Sequence, residues 1–232
     1  TGEIAAFIFE PIIQGASGMR VYSQELLDRM IKLAQAHDVI CIADEVMTGF
    51  GRTGGLFASD LMESNPDIMC LSKGLTGGAL AMGVTSCTDK IQEAYRSNDL
   101  MKTFFHGHSF TGNPMTCAVA NASLDLLLTE ECDLNRSRIN DQHIGFQSVL
   151  VQHVLVRNVR VLGTIIAFEL NTERDTSYFN EARHHLYPYF IDKGILIRPL
   201  GNVIYLIPPY IISNEDLDFI YQTILNFLNE YT

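Results

Sequence analysis

Val39-Ile40-Cys41-Ile42-Ala43-Asp44-Glu45-Val46-Met47-Thr48-Gly49-Phe50-Gly51-Arg52-Thr53-Gly54 is an apolar run that ends on a carboxylate and then breaks into a glycine-rich loop. A short apolar run bounded by turn formers reads as a buried strand, here with Asp44 at its carboxyl end. A second stretch repeats the arrangement with the opposite charge. Ile68-Met69-Cys70-Leu71-Ser72 leads into Lys73, which is followed by Gly74-Leu75-Thr76-Gly77-Gly78. Open α/β sheets take their ligands at the carboxyl ends of their strands, so an acid and a lysine delivered there are candidate ligand-binding groups.

Each residue has a plainer reading. An Asp after an apolar run often only caps a helix or forms a turn. The chain's lysines are Lys32, Lys73, Lys90, Lys102 and Lys193. Lys32 and Lys90 fall in amphipathic stretches and Lys193 precedes a helix-ending Gly194, so these three read as solvated. Lys73 stands apart, because an apolar strand carries it into a glycine-rich turn. Desolvation there is expected to favour the neutral amine. Lys73 and Asp44 together fit pyridoxal phosphate, which needs a lysine for a Schiff base and an acid facing its pyridinium nitrogen. Neither a dinucleotide nor a P-loop site is expected, and no Gly-Lys-Ser/Thr triplet is present.

The run Ala43-Asp44-Glu45-Val46 through Gly54, with Leu71-Ser72-Lys73-Gly74, resembles the class III (subgroup II) aminotransferases of fold type I. Phe105-His106-Gly107-His108-Ser109-Phe110-Thr111-Gly112-Asn113-Pro114 resembles that family's phosphate-contacting turn. Val159-Arg160-Val161-Leu162-Gly163 and Ile197-Arg198-Pro199-Leu200-Gly201-Asn202-Val203-Ile204-Tyr205-Leu206-Ile207-Pro208-Pro209 are most similar to the members that convert 8-amino-7-oxononanoate to 7,8-diaminononanoate in biotin biosynthesis. The resemblance runs from about Phe7 to Ser213.

The resemblance implies roles for particular residues. Lys73 would carry pyridoxal 5'-phosphate as a Schiff base and, once freed, move the substrate proton. Asp44 would keep the ring nitrogen protonated, and Val46, in a strand-like segment, would pack on the ring face or simply belong to the core. Ser109 and backbone groups of His108 would contact the phosphate, with Gly107 against the substrate. His108 stands where the family often has proline. That turn reaches the other subunit's cofactor in the family, which implies a homodimer with shared active sites. Arg198 would grip a substrate carboxylate, for which its guanidinium fork is suited. It lies among apolar residues, where an unpaired charge is costly. Arg52, Glu10 and Tyr205 are weaker candidates. The amino donor would be S-adenosylmethionine or lysine. Two other readings stand beside this one: a class III member acting on ornithine, 4-aminobutyrate or glutamate semialdehyde, and a non-catalytic piece that only dimerises or docks.

Thr1-Gly2-Glu3 lacks an initiator Met and leads at once into Ile4-Ala5-Ala6-Phe7-Ile8-Phe9, a strand that lies mid-chain in the family. The sequence is therefore expected to be a fragment that does not transaminate alone. The formal net charge of -11 and the absence of a basic stripe argue against nucleic acid. No apolar stretch is long enough to span a bilayer. Five cysteines, scattered and mostly in apolar runs, read as reduced core residues of a cytoplasmic protein. His106 with His108 and the pair His184-His185 lack Cys or acidic partners, so no metal site is expected.

The fold expected is α/β: a mostly parallel, covered sheet forming the C-terminal part of a large domain over residues 1-132, then a smaller α+β domain over 133-232. Ser23 should cap an amphipathic helix through Leu26, Leu27, Met30, Ile31, Leu33 and Ala34. Strands are expected over 67-72 and 82-87, and a helix over 113-128. In the second domain the pattern predicts helices over 139-154 and 176-193, the latter ended by Gly194. One strand is expected over 159-170, with further short ones over 195-198 and 203-207. A last helix should be capped by Ser213 and bury Leu217, Ile220, Ile224, Phe227 and Leu228.

Overall fold

The computed structural model describes residues 2-172 and 174-231. They form two compact units, Thr1–Ile13 with Tyr22–Thr129 and Gln14–Val21 with Glu130–Thr232.

In the first unit, strand β1 (Ala6–Phe9) is followed by a two-stranded ribbon, β2 (Ile13–Gln14) with β3 (Arg20–Val21), whose residues 14-21 group with the second unit. Helix α1 (Gln24–Ala36) starts where Ser23 Oγ accepts the Leu26 N–H at 3.2 Å. It stops at Asp38, whose left-handed backbone (φ 57°) suits an Asp and lets the Val39 N–H turn back onto the Ala34 carbonyl at 3.0 Å. Only one stripe of α1 packs. Leu27 and Ile31 are buried with Phe9, Cys41 and Ala43, each such aliphatic side chain contributing about 1.5–3 kcal/mol, while Leu26, Met30 and Leu33 of the expected face remain exposed.

Strands β4 (Ile40–Asp44), β5 (Ile68–Leu71) and β6 (Val84–Cys87) complete a sheet in the order β1-β4-β5-β6. The first two pairings are parallel and the last is antiparallel. The connection from β5 to β6 holds only the one-turn 3-10 helix Lys73–Thr76. Two left-handed glycines follow, Gly77 (φ 59°) and Gly78 (φ 82°). With no crossover α-helix to carry the chain back to the other end of the sheet, β6 runs antiparallel at the edge. The sheet is thus mixed, and Ile8 of β1 stays 64% exposed, so this chain does not cover both faces. Helices α2 (Asp89–Glu93) and α3 (Pro114–Leu127) close the unit, α3 with Asn113 as its N-cap and Pro114 in its first turn.

The second unit packs helices on the antiparallel sheet of β7 (Val156–Leu162), β8 (Ile165–Leu170) and β9 (Val203–Leu206). Helix α4 (Glu130–Leu150) begins nine residues before the expected start at 139. The single strand expected over 159-170 is a hairpin, turned at Gly163 with φ 55°. Helix α5 (Arg183–Asp192) is shorter than expected, because residues before it form turns. Gly194 follows it with φ 78°, and α6 (Asn214–Glu230) is capped by Ser213 Oγ on the Asp216 N–H at 3.0 Å. Phe168, Phe190, Ile204, Leu217, Ile224 and Phe227 form the buried centre.

Residues 195-198 are not a strand. The segment alternates, with Ile195 and Ile197 buried and Leu196 and Arg198 exposed, but the Ile197 N–H turns back on the Ile195 carbonyl at 3.1 Å, and the nearest ladder contact among the described residues is Leu200 with Val203. That pair closes a two-residue turn on Gly201 (φ 65°) and Asn202. A Cβ on Gly201 would lie 1.8 Å from the Ser177 carbonyl oxygen. Gly201→Ala is therefore expected to destabilise the protein by roughly 2 kcal/mol or more, read as a lowered thermal midpoint. An unchanged midpoint would show that this turn relaxes freely.

Candidate active site

Asp44 and Lys73 are brought to one edge by the β4–β5 ladder. Its parallel register sets Asp44 opposite Cys70, on strands about 4.8 Å apart, and Lys73 follows three residues later. Side chains alternate along β4. Cys41 and Ala43 point into the core at 0% exposure, and Asp44 lies on the other, half-buried face. Its Oδ1 accepts the Val46 N–H at 3.1 Å, and its other oxygen takes no hydrogen bond among the described residues. The strand ends at Asp44, so Val46 is not in a strand-like segment as expected. It sits in the first turn of the loop, and the Asp44 carboxylate itself makes that turn.

Lys73 opens the 3-10 turn with a left-handed backbone, φ 43°, and forms no ion pair among the described residues. Its side chain is exposed, which corrects the expectation that burial in this chain would desolvate it. The turn is fixed from several sides. Ser72 Oγ donates to the Met82 carbonyl at 2.7 Å, and Ser123 Oγ of α3 reaches the Gly74 carbonyl at 3.4 Å.

Phe50 links the two strand ends. It is buried, in a left-handed conformation (φ 60°), and lies against Gly74, where an added Cβ would come within 2.8 Å of the Phe50 Cβ. Only glycine lets the Asp44 loop approach the lysine turn this closely. Gly49, Gly51 and Gly54 do have the Gly-x-Gly-x-x-Gly spacing of a dinucleotide loop. They occupy successive turns ending on the 3-10 helix Ala58–Leu61 instead of opening an α-helix, so the spacing lacks its structural context.

Sequence reasoning passed over Glu45. Its side chain is fully buried and accepts four hydrogen bonds. Oε1 takes the Ser59 N–H at 2.7 Å and the Ser59 hydroxyl at 2.6 Å, and Oε2 takes the Ala58 N–H at 3.1 Å and the Thr48 hydroxyl. An acid directly after a strand-end Asp was the available signal, but three of its four hydrogen bonds come from Ala58 and Ser59, 13 and 14 residues away.

Gly107, His108 and Ser109 form an exposed turn ahead of α3. The His108 N–H is taken by Thr111 Oγ1 at 2.9 Å, and His108 Nδ1 accepts the Phe110 N–H at 3.1 Å. The Ser109 N–H and hydroxyl and the Gly107 N–H make no hydrogen bond among the described residues, so they are free donors of this turn.

Arg198 belongs to the second unit, where it is exposed between buried Ile197 and Pro199, so no burial cost attaches to its charge. It lines a cleft of about 1190 Å³ with Tyr178, Leu196, Tyr205, Pro208 and Phe219. Burial pushes the Tyr205 phenol up, and the neighbouring Arg198 charge opposes this. Glu10 accepts the Tyr22 hydroxyl at its carbonyl. Arg160, from the Val159–Gly163 motif, is structural in its contacts. It donates to the Met19 carbonyl at 2.6 Å and to the Gly18 carbonyl, beside Glu169. Burial would raise the Glu169 carboxyl, but hydrogen bonds from Thr176 and Asn158 and the charges of Arg160 and Arg157 hold it below its ordinary value.

Only Cys41 of the five cysteines is buried, and none is in a disulfide among the described residues. Among the described residues no group of three His, Cys, Asp or Glu could hold a metal, and no helix is long and apolar enough to cross a membrane.

A free carboxylate oxygen and an uncommitted amine at one sheet edge fit a cofactor with a basic ring nitrogen and an aldehyde. Comparison with known proteins points the same way. The family model "Aminotransferase class-III" matches residues 1–228. The adenosylmethionine-8-amino-7-oxononanoate aminotransferase of Synechococcus elongatus is 43% identical over 229 residues, covering 99% of this chain and 53% of that protein. The crystal structure of the enzyme of that name from Methanocaldococcus jannaschii superposes with a TM-score of 0.87 at 33% identity, over 96% of this chain and 53% of that one. A PLP-bound amine transaminase from an uncultivated Pseudomonas species gives a TM-score of 0.87 at 29% identity, over 98% and 52%. The chain spans about half the length of the curated relatives it matches.

The Phe50–Gly74 contact predicts a coupled pair. Gly74→Ala should destabilise by roughly 1–3 kcal/mol through overpacking, and that cost should shrink in a Phe50→Gly background, which removes the clashing Cβ and ring. Strict additivity in denaturant unfolding would mean the two loops do not bear on each other.

Proposed function

This chain belongs to the class-III aminotransferase family, whose cofactor is pyridoxal 5'-phosphate, and from that premise we propose that the protein transaminates 8-amino-7-oxononanoate to 7,8-diaminononanoate in biotin biosynthesis. The observation that carries the reading is the parallel β4–β5 pair, which ends in an acid with one oxygen free and a lysine without an ion pair among the described residues. S-adenosylmethionine or lysine serves as amino donor, and adenosylmethionine stands in the names of the relatives.

Bound pyridoxal phosphate supplies an electron sink for the charge left when a proton leaves the substrate carbon. Lys73 would hold the cofactor through its ε-amine, and that amine would be the base placed to take and return the substrate proton. Asp44 would keep the ring nitrogen protonated, and Val46, held by the Asp44 turn, would pack on the ring face. Ser109 offers its N–H and hydroxyl to the phosphate, with His108 shaping the turn and Gly107 leaving room for substrate. Arg198 receives the distal carboxylate of the acceptor.

The protein acts as a homodimer with shared active sites. Leu100, Met101, Phe105 and Phe110 are 74% exposed or more and surround the Gly107–Ser109 turn in sequence, a concentration of apolar surface that marks an interaction site. A cytoplasmic setting accords with five cysteines outside any disulfide among the described residues.

Three variants of full-length protein test the reading. Asp44→Asn should retain cofactor yet lose most of the half-reaction rate, since a neutral amide does not hold the ring proton. A rate within a fewfold of wild type would contradict this. Arg198→Ala forfeits a charge-assisted pair worth roughly 1.5–3 kcal/mol, so kcat/KM for the oxononanoate acceptor should fall by about one to two orders of magnitude. Arg198→Lys should rescue it only partly. An equal loss with acceptors lacking a carboxylate would make Arg198 structural and remove a main support for this substrate.

A further inference from the structure

We propose that Glu45 is a positioning residue that fixes Asp44 and the lysine turn relative to each other. The proposal rests on the reading of Asp44 and Lys73 given above. Glu45 is 0% exposed, and a buried carboxylate is costly unless its oxygens are satisfied. Four donors satisfy it: the N–H groups of Ala58 and Ser59 and the hydroxyls of Thr48 and Ser59. They come from both ends of the loop that leaves β4. The carboxylate therefore pins the return of the loop, at the 3-10 turn Ala58–Leu61, to the residue beside Asp44.

The backbone of Glu45 is held as well. Its N–H extends the β4–β5 ladder by donating to the Cys70 carbonyl at 3.0 Å, and its carbonyl accepts the Gly49 N–H at 3.0 Å. Between these anchors lie Val46, whose N–H is the only hydrogen bond on the Asp44 carboxylate among the described residues, and Phe50, which packs on Gly74 next to Lys73. Loosening Glu45 thus reaches both reactive groups: Asp44 through the Val46 turn, and Lys73 through Phe50 and Gly74.

Glu45→Gln keeps the shape and changes the bonding. A hydroxyl can rotate to accept from the new NH2 group, but a backbone N–H cannot, so either Ala58 or Ser59 faces a donor. In full-length, pyridoxal-phosphate-loaded protein, well below its melting temperature, two changes are expected. The pH midpoint of the bound cofactor's visible band should shift measurably, and the half-reaction rate should fall by roughly tenfold or more with KM little changed. Thr48→Val removes one bond to the same carboxylate and should shift both in the same direction by less, which keeps the test decisive should Glu45→Gln fail to fold. If the folded variants melt lower yet keep the wild-type band titration and rate within twofold, Glu45 is only structural and the proposal fails. Asp44→Asn, run in parallel, separates the premises. No change there overturns the reading of Asp44 itself, whereas a change there with none in the Glu45 and Thr48 variants overturns this proposal alone.

Discussion

Parallel pairing of β4 with β5 fixes where the chemistry of this chain can occur. The register that sets Asp44 against Cys70 makes the carboxyl ends of two strands level, so an acid and a lysine far apart in sequence emerge at one edge. A one-residue slip would move every β4 side chain to the opposite face, exchanging Asp44 for Ala43. The buried positions Cys41 and Ala43, packed with Leu27 and Ile31, oppose such a slip because it would bring Asp44 into the core. Core packing and site geometry are here one constraint.

Local signals were readable where their causes are local. Ser23 and Ser213 cap helices because a hydroxyl can reach an N–H three residues on, and Gly194 ends α5 because it tolerates a positive φ. Both strands of the site could likewise be read from apolar runs closed by a charged residue. Features set by distant partners were not legible. The direction of β6 depends on the shape of its connection, and residues 195-198 alternate like a strand but find no neighbour to pair with. Val46 follows a strand pattern, yet the Asp44 side chain turns the chain away at that point. Glu45 was invisible because its significance lies in Thr48, Ala58 and Ser59 arriving around it.

Glycines at close approaches carry much of the site's form. Gly74 admits Phe50 and Gly201 admits the Ser177 carbonyl, one beside the lysine and one in the turn just beyond Arg198. In both places a methyl group would force backbone or a buried ring to move. The pattern explains why the glycine-rich segments flanking Asp44, Lys73 and Arg198 are informative: they mark where the chain must pack against itself to hold a charged side chain in place.

The central claim, that Lys73 is the residue to which the cofactor attaches, is tested most directly by borohydride reduction of the pyridoxal-phosphate-loaded full-length protein, followed by peptide mapping by mass spectrometry. The account predicts a single reduced adduct on the peptide containing Lys73, absent in Lys73→Ala. An adduct on Lys32, Lys90, Lys102 or Lys193 instead, or a wild-type protein that binds the cofactor without forming one, would contradict it.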